Sequence, residues 1–385
     1  MRIRLLFFCL LLLLSACAGS NPASQPGPFL SFLPERGELV SASGTRAKPA
    51  DVLELVTPAD YILMGEGHTN PCDHAAQQWL TRALAEGGRL PAVGLEMVGS
   101  DRQPVLDRFL AGDVPLEKLE KELQWQEQWG YPFALFQPLF ALALEHGLPL
   151  GALNAPRELV KKVSRNGLAS LAPKERAALP SEILPPPAEQ KAVLQAYFER
   201  HADLLPPEAD LQGFMEVQSL WDTAMAANAK ALRERTGRPV LVIAGAGHVE
   251  RGWGIAHRLR LLDPEARSVL LLPLRDTMEF DPGDGNAFFY CPAVFRSRLG
   301  MTLEAREGRV IVVETVREGR AEAAGIRAGD VLVRAQGLPV RAFMDLHQAG
   351  KLAHDRDQGL RLRMERRGET IAVDLGKLGV KTEKK

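Results

Sequence analysis

The sequence predicts an α/β fold, a mainly parallel sheet flanked by helices, followed by a small mixed β/α domain. Three observations carry that expectation. Short, continuously apolar runs alternate with longer amphipathic stretches up to about residue 277, the pattern of strands buried on both faces and joined by helices. Several of those runs end abruptly in a polar residue beside glycine. At 385 residues the chain exceeds one average domain, and a stretch rich in Asp, Gly and Pro divides it near residues 276–292.

The chain opens with "MRIRLLFFCLLLLLSACAGS": two arginines, an apolar run from Leu5 to Leu14, then Leu14-Ser15-Ala16-Cys17. The run is too short for a comfortable membrane span and has the form of a secretory h-region. Its end matches a bacterial lipobox. Residues 1–16 are therefore expected to be a lipoprotein signal peptide, and Cys17 the lipidated residue that tethers the mature protein to a membrane. An ordinary signal peptide with an accidental cysteine is the plainer alternative. Ala18, in place of an inner-membrane-retaining Asp, points to the outer membrane, facing the periplasm. Residues 17–32, small, polar and proline-bearing, read as a flexible tether.

Of the four cysteines, Cys9 leaves with the signal and Cys17 carries lipid. Cys72 and Cys291 are expected as two free buried thiols, although an oxidising periplasm would permit a bridge. The formal net charge of -1 gives no electrostatic reason to expect a nucleic-acid partner.

A first body is expected over 33–277. "YILMGE" (61–66), "AVGLEM" (92–97), "LPLGALN" (148–154), "PVLVIAGAGH" (239–248) and "SVLLLPL" (268–274) read as strands. "CDHAAQQWLTRALAEG" and "YPFALFQPLFALALEHG" read as helices between them. The proline-rich segment 172–213 is a helical insertion or lid, or equally a set of surface connections. Residues 278–292 read as a linker, 293–376 as the second domain and 377–385 as a basic tail.

The polar strand ends carry the chemistry. Residues two apart in an extended segment face the same way, so Glu66 and His68 project together. Glu96 closes the second strand and His248 a later one, again after glycines. In an open parallel sheet, ligands bind outside the carboxyl ends of the strands. Glu66, His68, Glu96 and His248 are therefore expected to converge on one crevice. Two carboxylates and two imidazoles can bind a divalent metal such as Zn²⁺ or Mn²⁺ or act as an acid–base pair. They can ligate haem iron through histidine or form a buried network that only satisfies strand ends. Asn154 and Arg157 close the middle strand, and Asp222, four residues after Gln218 on one helix face, could orient a site histidine. Trp125 and Trp129 flank "QEQ" and line a crevice mouth or simply pack.

These residues also carry a resemblance. "LMGEGHTNPCDHAAQQWL", "AVGLEM", "LGALNAPRELVKKVSRNGL", "QSLWDTAMAANAKAL" and "VLVIAGAGHVERGWGI" together resemble the ChaN-like haem-binding family of bacterial lipoproteins, over most of residues 50–275. That family is related to the Tiki/TraB and erythromycin-esterase-like group. The resemblance implies haem binding and a role in iron uptake. In the wider group the Gly-Glu-x-His and Gly-x-Gly-His elements build a metal-dependent or acid–base hydrolytic site, here Gly65 to His68 and Gly245 to His248. Tyr131, His68 and His248 are the axial candidates for haem iron, and Arg157, Lys161 and Lys162 the candidates to meet its propionates. The absence of a Cys-x-x-Cys-His stretch argues against covalent attachment.

"GRAEAAGIRAGDVLVRAQGLPV" (319–340) resembles a PDZ domain of the bacterial periplasmic kind. The resemblance places the carboxylate-binding loop at Arg298, Leu299, Gly300 and Met301, and the helix flanking the groove at "AFMDLHQAGKLA". It implies capture of a peptide or protein C-terminus by strand addition. The alternative is a PDZ fold that docks only on its own first domain. Two function classes follow: a lipid-anchored haem or iron-handling protein with a peptide-binding module, or a hydrolase using Glu66, His68, Glu96 and His248.

Overall fold

A computed structural model of the chain describes residues 30–200, 210–277 and 280–378. The expected signal peptide, Cys17 and nearly all of the expected tether and basic tail lie outside the described residues. Two compact units are present, the second beginning in its main part at Pro292.

The first unit is built on an eight-stranded sheet. Its strands are β1 (Leu39–Ser41), β2 (Arg46–Ala47), β3 (Tyr61–Glu66), β4 (Ala92–Gly99), β5 (Leu150–Asn154), β6 (Val240–Gly245), β7 (Ser268–Leu274) and β8 (Ala287–Tyr290). Their spatial order is β2-β1-β8-β7-β3-β6-β4-β5. β3 pairs in parallel with β6 and β7, and β4 with β5 and β6. β3, β4, β5 and β6 are buried on both faces, which is why they read as unbroken apolar runs. Every residue of "YILM" in β3 is at most 1% exposed, and each side chain removed from water contributes roughly 1.5–3 kcal/mol. The helix Pro71–Glu86 follows β3, started by Pro71 and by the Asn70 side chain, which accepts the Cys72 N–H at 3.0 Å. The expected helix at 131–147 runs Phe133–Glu145, and the helix carrying Asp222 runs Leu211–Thr236. The proline-rich segment contains helices Pro173–Ala177 and Ala188–Arg200.

Two expectations need correction. Residues 278–292 are not simply a linker: Ala287–Tyr290 is a fully buried strand, antiparallel to β1 with Leu39 opposite Phe289. The Asp/Gly/Pro density just before it drew attention from "AFFY", a run too apolar to stay in water. Cys72 and Cys291 are not free thiols but a disulfide, with Cα atoms 5.6 Å apart. Their meeting depends on β8 joining the sheet and delivering Cys291 to the start of the helix Pro71–Glu86.

The second unit holds β9 (Ala293–Ser297), β10 (Met301–Arg306), β11 (Arg309–Thr315), β12 (Val331–Ala335), β13 (Leu338–Pro339), β14 (Gly359–Arg366) and β15 (Glu369–Lys377). The order is β15-β14-β12-β11-β10-β9, antiparallel throughout, with β13 beside β12. The helix Phe343–Asp355 turns Leu346, Ala349 and Ala353 into a core with Leu303, Val312 and Met364. Arg366 clamps Asp330 with two hydrogen bonds of 2.6 and 2.7 Å, tying β14 to the turn before β12.

Candidate functional site

The parallel strands deliver the four expected side chains to one end of the sheet. Glu66 is the last residue of β3, level with Gly245 of β6. A Cβ at Gly65 would lie 2.6 Å from the end of the Leu272 side chain and 3.0 Å from the Ala246 backbone, so glycine leaves room for close packing there. Glu96 sits where β4 slips its register on β5, between Leu95 and Gly99. Such an irregularity re-aims a side chain, and the Glu96 carboxylate accepts the Gly245 N–H at 2.5 Å. His248 follows on the short helix Ala246–Val249.

Glu66 and His68 form the first pair. His68 Nδ1 and Glu66 Oε1 lie 2.8 Å apart, and Gln77 donates its amide to Glu66 Oε2 at 2.6 Å. His74 stands 3.7 Å from the same oxygen. Burial pushes the Glu66 carboxyl up, but His74, His68 and Gln77 more than offset it and hold the group below the usual carboxylate range. Burial likewise lowers the His68 imidazole, and the hydrogen bond to Glu66 with the charge of Glu96 raises it above its ordinary value. The His68 ring rests on the backbone of Gly245, where a Cβ would come within 2.9 Å. Beyond it stand Trp129 at 4.8 Å and Tyr131 at 5.2 Å between ring centroids. The Trp129 indole nitrogen is buried without a hydrogen-bond partner among the described residues.

Glu96 and His248 form the second pair, at 3.6 Å. Behind them, His248 Nδ1 meets Asp222 Oδ1 at 2.7 Å. Asp222 also accepts from Gln190 at 3.0 Å and lies 3.4 Å from Arg258, a guanidinium 0% exposed. Arg258 bonds Gln190 Oε1 and the Trp253 carbonyl, each at 2.7 Å. Burial lowers the His248 imidazole, yet Glu96 and Asp222 raise it to about 9, so it is a cation at neutral pH. Trp221 sets its ring edge-on to His248 at 6.1 Å.

Asp222 thus stands behind His248, in contact with it. Asn154 turns its amide oxygen to the next N–H, that of Ala155, rather than toward the histidines. Arg157 begins the helix Arg157–Asn166, in the field of Glu158 and Glu127. Lys161 and Lys162 are held by Glu158 and Glu175, each at 2.6 Å, as surface ion pairs. Trp125 is core and bonds the Tyr131 carbonyl at 2.7 Å; Trp129 is the tryptophan at the site. The expected metal set is not arranged as one: among the described residues no three His, Cys, Asp or Glu side chains form a metal-holding group. Each carboxylate is instead committed to hydrogen bonds with the protein. Sequence reasoning assigned no role to His74, Gln77, Gln190 or Arg258. His74 and Gln77 had a local signal, three residues apart on the helix after Glu66, whereas Gln190 and Arg258 had none.

The model of the family described as haem-binding uptake, Tiki superfamily, ChaN, matches residues 52–259. The chain belongs to that family. A PDZ-domain model matches residues 297–376, so this is a ChaN-like chain carrying a PDZ domain. A solved ChaN of Campylobacter jejuni, described as binding heme cofacially, is 19% identical, covers 66% of this chain and 97% of its own, and superposes with a TM-score of 0.54. That likeness shows the ChaN-like fold. More distant are an HtrA3 PDZ domain bound to a phage-derived ligand (21% identity, 17% of this chain and 61% of that one, TM-score 0.16) and an erythromycin esterase mutant in its open conformation (12% identity, 76% and 89%, TM-score 0.38). No curated protein matches the ChaN-like chain in sequence.

Proposed function

We propose that this protein is a lipid-anchored, periplasm-facing haem-binding protein of the outer membrane, with a PDZ module that captures peptide C-termini. The observation that carries the haem part is the grouping of His68, Trp129 and Tyr131 at the carboxyl end of the sheet. Imidazole and phenol are both haem-iron ligand types, and the indole offers a flat apolar wall. The residues fit the group on one further count: the buried Trp129 N–H lacks an acceptor, and a propionate or another acceptor on a bound ligand would satisfy it.

Of the three axial candidates, Tyr131 supplies the phenol ligand type, its ring 5.2 Å from that of His68 and 5.3 Å from that of Trp129. His68 is gripped by Glu66 and seated on Gly245, and His248 is locked between Asp222 and Glu96. The two histidines then hold protons and charge beside the ligand, and Arg157 stands as the cation for a propionate. Haem, when bound, supplies an iron centre whose behaviour its axial ligand sets. The anchor rests on the Cys17 lipobox, and the Cys72–Cys291 disulfide supports an oxidising compartment. Loss of palmitate labelling in Cys17→Ala checks the anchor.

The haem part is tested by titrating residues 18–385 with haem and following the Soret band. A saturable shift is expected, with affinity at least tenfold weaker in Tyr131→Phe. A wild type that shows no saturable shift ends the haem reading. The second reading is acid–base hydrolysis, favoured by the Glu96–His248–Asp222 chain, which has more polar support than packing requires. Ester cleavage that survives Tyr131→Phe and disappears in Glu96→Gln would establish it.

A further inference from the structure

A PDZ domain takes a peptide as an added strand on the exposed edge of its sheet, with the peptide carboxylate held by N–H groups of the preceding loop. Here the strand after the loop 298–301 is β10, and one of its edges is the docking edge. That edge is filled. β9 runs antiparallel along it, with Ser297 opposite Met301, Phe295 opposite Leu303 and Ala293 opposite Ala305. β9 also runs toward the loop, the direction an incoming C-terminal peptide would take.

The loop is filled as well. The Leu299 N–H donates to the Ser297 hydroxyl at 3.2 Å, and the Gly300 N–H donates to the Ser297 carbonyl at 3.1 Å. Gly300, at φ +81°, lets the loop turn tightly enough to do this. Two oxygens of one residue thus occupy the donors that would hold two oxygens of a carboxylate. The third mark is on the helix side of the groove. Opposed residues on an antiparallel pair share a face, so Phe295 lies on the same face as buried Leu303. Its ring meets that of Phe343, at the start of the helix Phe343–Asp355, at 5.6 Å. Strand edge, carboxylate loop and flanking helix are each engaged by the same five-residue segment.

We propose that β9 is an internal pseudo-ligand of the PDZ domain, and that peptide capture requires its displacement. The inference rests on the reading of the second unit as a peptide-binding module. β9 is suited to leaving: Phe295 is 42% exposed, Arg296 is exposed, and none of the five residues is fully buried. An isolated edge strand with so little burial is a low-stability element of the kind that opens locally. A peptide whose apolar side chain sits deeper than Phe295, and whose carboxylate replaces the two neutral oxygens of Ser297, would make the stronger, charge-assisted set of bonds.

The test uses residues 18–385 and a fluorescein-labelled pool of hexapeptides ending in free Val, Leu, Ile or Phe, with the amidated pool as control. Val294→Pro combined with Phe295→Ser releases the strand and its ring contact, since proline removes a strand donor. Arg296→Cys with Thr302→Cys, a directly opposed pair, locks β9 in place once oxidised. The expected result is at least tenfold tighter binding of the free-acid pool by the released variant than by wild type, and none by the locked one. Equal binding by wild type and the released variant overturns the pseudo-ligand while leaving peptide capture intact, as does binding by the locked variant. No binding by the released variant, with hydrogen exchange showing β10, β11 and β12 still protected, removes the peptide-binding reading and the inference with it.

Discussion

Glu66 with His68 and Glu96 with His248 are the same two residue types at the ends of neighbouring strands, yet their surroundings diverge. His68 keeps 13% of its side chain in solvent and faces Trp129 and Tyr131. His248 keeps 5% and faces Asp222, with Arg258 and Gln190 behind. The first pair is presented; the second is enclosed in charge. A histidine held between two carboxylates is a fixed cation, useful for setting the field of a site, whereas one bordered by aromatic rings can answer to a ligand.

Breaking the enclosed pair should have the largest effect. Asp222→Ala leaves a buried imidazolium and a buried guanidinium short of their shared counter-charge. Loss of one partner of a buried ion pair costs about 3–5 kcal/mol, so urea denaturation should show a fall of that order. A loss under about 1 kcal/mol would mean that the enclosure is not electrostatic.

The pH dependence is next in size. The folded His248 imidazole is raised to about 9 from an ordinary 6.5, so its stabilisation is complete below the unfolded value and drains away as pH rises through 9. His68, raised as well, acts in the same direction. Glu66, lowered, contributes above its unfolded value and fails as pH falls. At about 1.4 kcal/mol per unit, His248 alone accounts for a loss of up to roughly 3 kcal/mol between pH 6 and pH 10. Stability measured across that range should decline, and His248→Gln should flatten the decline.

The smallest effect sharpens the presented pair. Gln77→Met removes one charge-assisted bond to Glu66, worth about 1.5–3 kcal/mol. It should move the titration of His68, followed by its ring proton resonances, and leave that of His248 in place. Equal movement of both would show that the two pairs are one network.

Much of this was readable in advance because strand ends are local. Glu66, Glu96 and His248 each end an apolar run, and parallel topology brings such ends together. Asp222 was readable as a helix-face neighbour of Gln218, though the histidine it serves lies 26 residues further on. Arg258 and Gln190 were not, because a buried cation in an amphipathic helix looks like a surface one until its partners, 68 residues apart, are joined. The pairing of Cys72 with Cys291 was hidden for the same reason, and so was β9, whose "AVFRS" has no core face of its own and becomes a strand only against β10.

The disulfide that joins the first helix after β3 to the residue after β8 has a consequence for how this chain is made. It closes a loop of 219 residues, and by chain-entropy reasoning such a closure withdraws about 5 kcal/mol of freedom from the denatured ensemble. The ChaN-like unit cannot be sealed until residue 291 has emerged during synthesis, just over three quarters of the way along the chain. The seal comes two residues before the PDZ strand begins, so the same bond that finishes one domain marks the starting point of the next.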